Sequence, residues 1–238
     1  SAGAHIKILW PPIGRNFSAY FLAINNLIKA HREAYKRIKE IQPDSWVGVA
    51  TNNVYFDTYK NRLVEKFFKR IADWWVNFYF LDKIKDCQDF IGLNYYFHSR
   101  IKGFKFNQNE NKEVSDLGWE IYPQGLYQVL KNYQKYQKPI YILENGIADA
   151  DDKLRSDFIR NHLFYAHQAI KQGIDVRGYF YWSLLDNFEW AEGYWPKFGL
   201  YAVDRKTFKR AARPSANIYA EICKNNQVEV DLKINRLD

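Results

Sequence analysis

Hydrophobic residues follow a helical spacing in several stretches of the chain. From about Phe17 to Ile41, apolar positions recur every three or four residues, which predicts a helix that Pro43 ends. The same spacing predicts four more helices, through Leu63–Phe78, about Gln124–Gln137, Leu154–Ile170 and Pro214–Cys223. The candidate N-caps of the fourth helix are Asp149, Asp151 and Asp152.

Short apolar runs without polar alternation lie between these helices. They predict strands covered on both faces, as in a parallel sheet, at Val47–Thr51, Asp89–Tyr96, Ile140–Leu143 and Val176–Trp182. Residues 99–120 are polar and are predicted to form a long surface loop. Residues 226–238 include the alternating run Val228–Ile234, which predicts an edge strand or a tail.

Strands that alternate with helices predict an α/β fold with a parallel sheet. A barrel of eight such units needs about 250 residues, whereas this chain of 238 residues contains only four units. The pattern therefore leaves two possibilities, an open sheet or half of a barrel.

Composition excludes several classes of protein. Hydrophobic residues make up 47% and charged residues 26%, which indicates a globular chain, and no apolar run approaches the length of a membrane-spanning helix. The net charge of +8 comes from basic residues that are spread along the chain among acidic ones, so neither nucleic acid nor a membrane is an expected partner. Cys87 and Cys223 are too isolated to form a disulfide framework or a zinc site, and reduced, buried thiols are expected.

The sequence lacks the motifs that would indicate cofactor chemistry. The nucleotide-binding and serine-hydrolase motifs are absent, and His162 and His167 do not have the helical spacing that places two imidazoles on one metal. We expect no cofactor and no metal.

Candidate chemistry is concentrated at the predicted strand ends, where parallel α/β folds place their functional residues. Glu144 directly follows one buried strand, and Asn94 and Tyr96 end another. At the end of the last strand and just after it, Trp182, Glu189 and Trp190 combine indole rings with a carboxylate, as sugar recognition requires. A structural salt bridge for Glu144, or simple packing of the tryptophans, would explain each feature alone, but their convergence favours a carbohydrate site.

These residues lie in motifs that resemble glycoside hydrolase family 1, the β-glucosidase and β-glycosidase family. Pro139–Gly146 resembles the nucleophile motif of that family, with Leu143 where threonine is usual, and Trp182–Tyr194 resembles its sugar-binding signature. Asp89–Tyr96 fits its sixth strand. The likeness extends from about Trp10 to Asn225.

The resemblance implies a fold and an activity. Residues 1–238 would form a single partial domain, the C-terminal half of a (β/α)8 TIM barrel with strands five to eight and their helices. Glu144 would be the nucleophile of a retaining β-glycosidase, Asn94 and Tyr96 would orient it and the sugar, and Trp182 would form the floor of the site. Glu189 and Trp190 would bind distal hydroxyls, and Glu189 favours unphosphorylated β-glucosides or galactosides, since it would repel a phosphate.

The acid/base residue of the family lies in an Asn-Glu-Pro motif, which this chain does not contain. The resemblance therefore implies that strands one to four and the acid/base are missing, and that the partner is the N-terminal half of the barrel. We expect no more than trace activity on aryl β-glucosides from the chain alone, and a cytoplasmic location. The alternatives are a non-catalytic carbohydrate-binding module or pseudo-enzyme and, less favoured, a basic nucleic-acid binder.

Overall fold

The computed structural model describes residues 16–229, in which a parallel sheet of four strands is covered by helices on one face. The strands of this sheet are β1 (Gly48–Thr58), β2 (Phe90–Ile101), β3 (Ile140–Asn145) and β4 (Val176–Tyr181), in the order β1-β2-β3-β4. A small antiparallel pair follows, β5 (Tyr201–Val203) and β6 (Arg210–Ala212). The helices are α1 (Phe17–Ile41), α2 (Leu63–Ala72), α3 (Tyr79–Ile84), α4 (Pro123–Tyr133), α5 (Arg155–Lys171) and α6 (Pro214–Asn225).

The helix boundaries follow local capping chemistry. The side chain of Asn16 accepts a hydrogen bond from Ala19 N (2.9 Å) and so begins α1, whose predicted range is confirmed. The N-cap of α5 is Leu154 and not one of the predicted aspartates, but Oδ2 of Asp149 accepts hydrogen bonds from the backbone N–H groups of Leu154 and Arg155. Gly173 follows α5 with a φ of +80°, a left-handed conformation that glycine adopts without strain.

The main core lies between the sheet and the helices. Ile91 and Leu93 of β2 and Ile142 of β3 are fully buried there against Leu126 and Leu130 of α4. The strands read as unbroken apolar runs because the opposite face of the sheet is also lined by apolar side chains, among them Tyr141, Leu143 and Phe180.

The opposite face of the sheet is concave and largely apolar. It contains a depression of about 300 Å³, which is lined by Trp46, Phe90, Tyr141, Leu143 and Phe180. Phe180 is 55% exposed there. The prediction that the strands are covered on both faces is therefore wrong for the described residues, because their helices cover only one face.

The sheet has the topology of consecutive (β/α)8 units, as expected from the sequence. Within residues 16–229, β1 and β4 each have a strand neighbour on one side only. In a closed barrel every strand has two neighbours, so the described residues form a partial barrel.

Several predicted boundaries need correction. β1 and β2 extend to Thr58 and Ile101, well beyond Thr51 and Tyr96, and the long loop accordingly begins at residue 102. The second predicted helix is interrupted by a π-helical stretch, Asp73–Phe78, between α2 and α3. The helix expected to reach Gln137 ends at Tyr133 and continues as one 3₁₀ turn, Gln134–Tyr136.

The C-terminal expectation falls mostly outside the described part of the chain. Residues 226–229 form no strand, and residues 230–238 lie outside the described residues.

Both cysteines are free, but Cys223 is exposed and Cys87 is only partly buried, so the expectation of buried thiols is wrong. None of the helices between residues 16 and 229 is both long enough and apolar enough to span a membrane.

Candidate active site

Glu144 lies at the end of β3, and the next residue fixes its position. Asn145 is fully buried. Its Nδ2 donates to the carbonyl of Tyr95 on β2 (2.6 Å), and its Oδ1 accepts from the hydroxyl of Tyr179 on β4 (2.8 Å). Asn145 thus ties three strands together beside Glu144, and a buried side chain with these bonds cannot rotate freely.

Gly146 allows the loop after β4 to approach the loop after β3. A Cβ atom at this position would lie 1.8 Å from the carbonyl oxygen of Trp182. Trp182 N also donates to the carbonyl of Asn145 (3.0 Å). Glycine is required here by the close backbone contact, which places Trp182 next to Glu144.

Gly146→Ala is expected to lower the free energy of unfolding by about 2 to 3 kcal/mol, because the added methyl group must displace the backbone of Trp182. The measurement is urea unfolding at equilibrium. Gly118→Ala is the matched control: Gly118 has a φ of +73° but open space around it, so only about 1 kcal/mol of backbone strain is expected. Equal losses in the two variants would contradict the proposed contact.

Tyr96 directly contacts Glu144. Its hydroxyl donates to Oε2 of Glu144 at 2.9 Å. Burial raises the pKa of Tyr96, and the nearby carboxylates of Glu144 and Glu189 raise it further. The phenol therefore remains a hydrogen-bond donor to Glu144 over the whole range in which a carboxylate is ionised.

Two aromatic side chains pack close to the ring of Tyr96. Its ring centroid lies 6.0 Å from that of Trp119 and 6.5 Å from that of Phe198.

Glu120, the neighbour of Trp119, forms an ion pair with the buried His98. Burial alone would lower the pKa of His98, but Asp57 and Glu120 outweigh it and raise that pKa. The contacts of His98 with Asp57 and Glu120 thus anchor the loop segment that carries Trp119.

Asn94 is the sheet neighbour of Glu144. The two residues are paired in the register of β2 and β3, at an irregularity that follows Leu93. The side-chain oxygen of Asn94 is buried and accepts no hydrogen bond from any described residue. Buried polar atoms nearly always have a partner, so this oxygen is suited to accept a hydrogen bond from a ligand beside Glu144.

Glu189 lies in the loop after β4 and faces the same space as Glu144. Burial raises the pKa of Glu189, the charges of Glu144 and Glu192 add to this effect, and a hydrogen bond with Trp182 opposes it. The charge of Glu144 thus acts on Glu189, which places the two side chains on the same side of the sheet. The structure thus brings Glu144, Trp182 and Glu189 together, as the sequence predicts.

The loop that carries Glu189 is anchored by an ion pair at its start. Buried Asp186 pairs with Arg213 (3.0 Å) and accepts from Gly199 N (3.0 Å). Trp190, the next residue after Glu189, is 70% exposed and has a φ of +47°. Its ring lies at the outer border of the site, whereas Trp182 is half-buried beside Glu189.

Sequence reasoning missed two supporting residues, Arg155 and Trp119. Arg155 is fully buried and forms an ion pair with Asp152, and it donates to the hydroxyl of Tyr181 (2.9 Å) and to the carbonyl of Lys197 (2.8 Å). It therefore links the start of α5 to the loops around the site. The signal that could have found Trp119 is a tryptophan in an otherwise polar loop.

Other acidic and histidine residues do not join this site. Glu110 forms ion pairs with Arg100 and Lys112 instead. Burial lowers the pKa of His162 to about 4, so its imidazole is neutral and structural. Among residues 16–229, no group of three or more His, Cys, Asp or Glu side chains could hold a metal ion.

The residues of this site belong to a part of the chain that matches a known protein family. The sequence model of Glycosyl hydrolase family 1 matches residues 58–228, which include Asn94, Tyr96, Glu144, Trp182, Glu189 and Trp190. The chain belongs to glycosyl hydrolase family 1. Its partial (β/α)8 fold is the fold of this family.

Individual family 1 proteins show the same relationship. A β-galactosidase of Sulfolobus acidocaldarius is 34% identical over 96% of this chain and 53% of its own length. β-Glucosidase A of Thermotoga maritima is 32% identical over 94% of this chain and 61% of its own length. The chain thus spans between about half and three fifths of these two relatives.

Solved family 1 structures superpose closely on the described fold. The β-glycosidase from Pyrococcus horikoshii has a TM-score of 0.89 at 36% identity, and the comparison covers 100% of this chain and 61% of that one. The β-glucosidase from Thermotoga maritima in complex with glucoimidazole has a TM-score of 0.88 at 31% identity, over 95% of this chain and 62% of that one.

Proposed function

We propose that this chain supplies the nucleophile and most of the sugar-binding surface of a retaining β-glycosidase. The proposed substrates are unphosphorylated β-glucosides and β-galactosides. The observation that carries the proposal is the hydrogen bond from Tyr96 to Glu144 at the end of β3. Glu189 supports it, because the charge of Glu144 contributes to the raised pKa of Glu189.

The proposed reaction has two steps. Glu144 attacks the anomeric carbon, the bond to the aglycone oxygen breaks, and that oxygen takes a proton from a second carboxylic acid. The same second group then removes a proton from water, which attacks the anomeric carbon and releases Glu144. Tyr96 holds one oxygen of Glu144 by its hydrogen bond, which directs the other oxygen toward the sugar.

Four residues would bind the sugar. The indole of Trp182 is suited to pack against the apolar face of a pyranose, and Glu189 can accept hydrogen bonds from two hydroxyl groups. Trp190 would border the distal end of the sugar, and the unpaired oxygen of Asn94 would accept from a hydroxyl beside the reacting carbon. A phosphate on the sugar would meet the charge of Glu189 and be repelled.

The second carboxylic acid would come from outside the described residues. The concave apolar face around Phe180 and the one-sided strands β1 and β4 are surfaces that the other strands of a barrel would cover. The partial coverage of the family 1 relatives supports the same proposal. The proposed partner is therefore the N-terminal half of a (β/α)8 barrel.

A complementation assay tests this proposal. The purified chain is mixed with the part of the Thermotoga maritima β-glucosidase A that it does not cover, and we name this mixture the complemented barrel. We expect only trace hydrolysis of p-nitrophenyl β-glucoside by either part, and clear hydrolysis by the mixture, with the β-anomer of glucose as the first product by NMR. Full turnover by the chain alone, or an α-anomer as first product, would contradict the proposal.

Tyr96→Phe is expected to slow the reaction of Glu144 with an activated 2-deoxy-2-fluoroglucoside in the complemented barrel by roughly 10- to 100-fold. This range corresponds to the loss of one hydrogen bond to a charged group, about 1.5 to 3 kcal/mol. Tyr79→Phe is the control, because within residues 16–229 the hydroxyl of Tyr79 bonds only to the exposed Asn25. An unchanged rate in Tyr96→Phe would show that this bond does not position the nucleophile.

A non-catalytic carbohydrate-binding module is the second candidate. It is favoured by one observation, namely that the predicted acid/base motif is absent from this sequence. Such a module would bind a sugar at Trp182 and Glu189 but would form no covalent bond to Glu144.

We also propose a cytoplasmic location, because both cysteines are free thiols, as is usual in a reducing compartment.

A further inference from the structure

A basic and apolar surface lies where β1 and β2 end, on the same side of the sheet as Glu144. Segments 59–74 and 102–106 meet there. The backbone N–H of Tyr59 donates to the carbonyl of Ile101 (2.9 Å), and that of Gly103 donates to Oε1 of Glu65 (3.2 Å). Lys102 Nζ also lies 4.5 Å from the centroid of the Tyr59 ring. We name these two joined segments the rim surface.

The rim surface exposes a continuous set of apolar side chains. Leu63 is 84% exposed and Phe67 is 61% exposed; their spacing of four residues places them on one stripe of α2. Phe104, at the tip of the second segment, is 73% exposed. The ring of Phe68 bridges the two segments, with centroids 5.6 Å from Phe67 and 5.5 Å from Phe104.

Positive charges surround these apolar side chains. The exposed basic residues of the rim surface are Lys60, Arg62, Lys66, Arg70, Lys102 and Lys105. Its two acidic residues, Glu65 and Asp73, are buried. Glu65 accepts three backbone N–H bonds, and Asp73 is paired with Lys69. The solvent-facing side of both segments therefore carries only positive charge.

This concentration of charge differs from the sequence expectation of dispersed basic residues. The two segments are far apart in the sequence, and only the pairing of β1 with β2 brings them together. The acidic residues that alternate with the basic ones along the chain point inward instead. The surface can therefore attract an anionic partner that the linear charge pattern does not predict.

We propose that the rim surface binds an anionic lipid bilayer at its surface. Leu63, Phe67 and Phe104 would enter the boundary between headgroups and acyl chains, while the flanking lysines and arginines would contact anionic headgroups. A second copy of the chain is a poor occupant, since two positively charged surfaces repel each other. Nucleic acid would satisfy the charge but would leave the aliphatic Leu63 and Ile71 in water, because its bases stack on flat rings.

Bilayer binding would bring the proposed active site near the membrane. β2 continues seven residues from Asn94 to Ile101, which is a rise of roughly 23 Å. The rim surface therefore projects beyond Glu144 on the same side of the sheet. The binding itself does not depend on catalysis, so it is tested separately from the proposed hydrolase activity.

Co-sedimentation with vesicles tests the proposal on the purified chain. We expect binding to vesicles of 70% phosphatidylcholine and 30% phosphatidylglycerol, weak binding to phosphatidylcholine alone, and a loss of affinity as salt rises. Lys66→Gln with Lys105→Gln should weaken binding roughly thirtyfold. Leu63→Ser with Phe104→Ser should weaken it at least tenfold. All four side chains are exposed, so these changes leave the core intact.

Matched variants at the opposite end of the sheet serve as controls. Lys36→Gln with Lys85→Gln removes the same charge, and Ile41→Ser removes a side chain that is 81% exposed. We expect vesicle binding to be unchanged in both controls. The proposal is overturned if anionic vesicles are not bound, if the controls weaken binding as much, or if the chain binds duplex RNA or itself through this surface but no vesicle.

Discussion

Glu144→Gln is expected to reduce hydrolysis of p-nitrophenyl β-glucoside by the complemented barrel by at least about 10⁴-fold. An amide cannot attack the anomeric carbon, and the loss of a nucleophile typically removes this much of the rate. The hydrogen bond from Tyr96 can still form to the amide oxygen, so the fold of the site is preserved. The measurement is the initial rate under saturating substrate.

Two controls separate loss of chemistry from loss of structure. Glu33→Gln removes an exposed carboxylate on α1 and should leave the rate unchanged. Glu144→Ala with added azide should recover part of the rate and yield α-glucosyl azide, because azide can attack from the face that Glu144 leaves open. A Glu144→Gln variant that keeps a tenth or more of the rate would exclude Glu144 as the nucleophile.

Arg155→Met is expected to lower the free energy of unfolding of the chain by about 3 to 5 kcal/mol. The substitution leaves Asp152 as a buried charge that has lost its ion-pair partner, and breaking a buried pair in this way costs about that amount. It also removes the donors to the hydroxyl of Tyr181 and to the carbonyl of Lys197. Equilibrium unfolding in urea measures the change.

Arg160→Met on the same helix is the matched control. The pair of Arg160 with Asp157 is 3.3 Å long and solvent-exposed, so its loss should change stability by less than about 1 kcal/mol. If both variants lose the same stability, the buried network of Arg155 does not hold the loops of the site together.

The sequence predicts those parts of the fold that depend on local periodicity. α1 occupies the predicted residues because its apolar stripe and its N-cap Asn16 act within a few positions of one another. β3 is predicted from the apolar run Ile140–Leu143, and the structure extends it only by Glu144 and Asn145. The sites at strand ends follow from the parallel topology, which is itself readable from the alternation of strands and helices.

The parts that the sequence does not predict depend on contacts between distant segments. β2 continues to Ile101 because β1 continues beside it to Thr58, although the polar residues His98, Ser99 and Arg100 do not resemble a buried strand. Arg155 looks like an ordinary charged helix residue until Asp152 and Tyr181 are placed around it. The rim surface likewise cannot be predicted from the sequence, because it forms only when Glu65 binds the backbone of Gly103.

Trapping of the covalent intermediate tests the central claim most directly. The complemented barrel is incubated with 2,4-dinitrophenyl 2-deoxy-2-fluoro-β-glucoside, whose leaving group departs without an acid, and is then digested for peptide mass spectrometry. We predict one fluoroglucosyl group on the peptide that contains Ile140–Gly146, with fragmentation placing it on Glu144. A sugar attached to another residue, or no adduct while the complemented barrel hydrolyses aryl glucosides, would contradict the account.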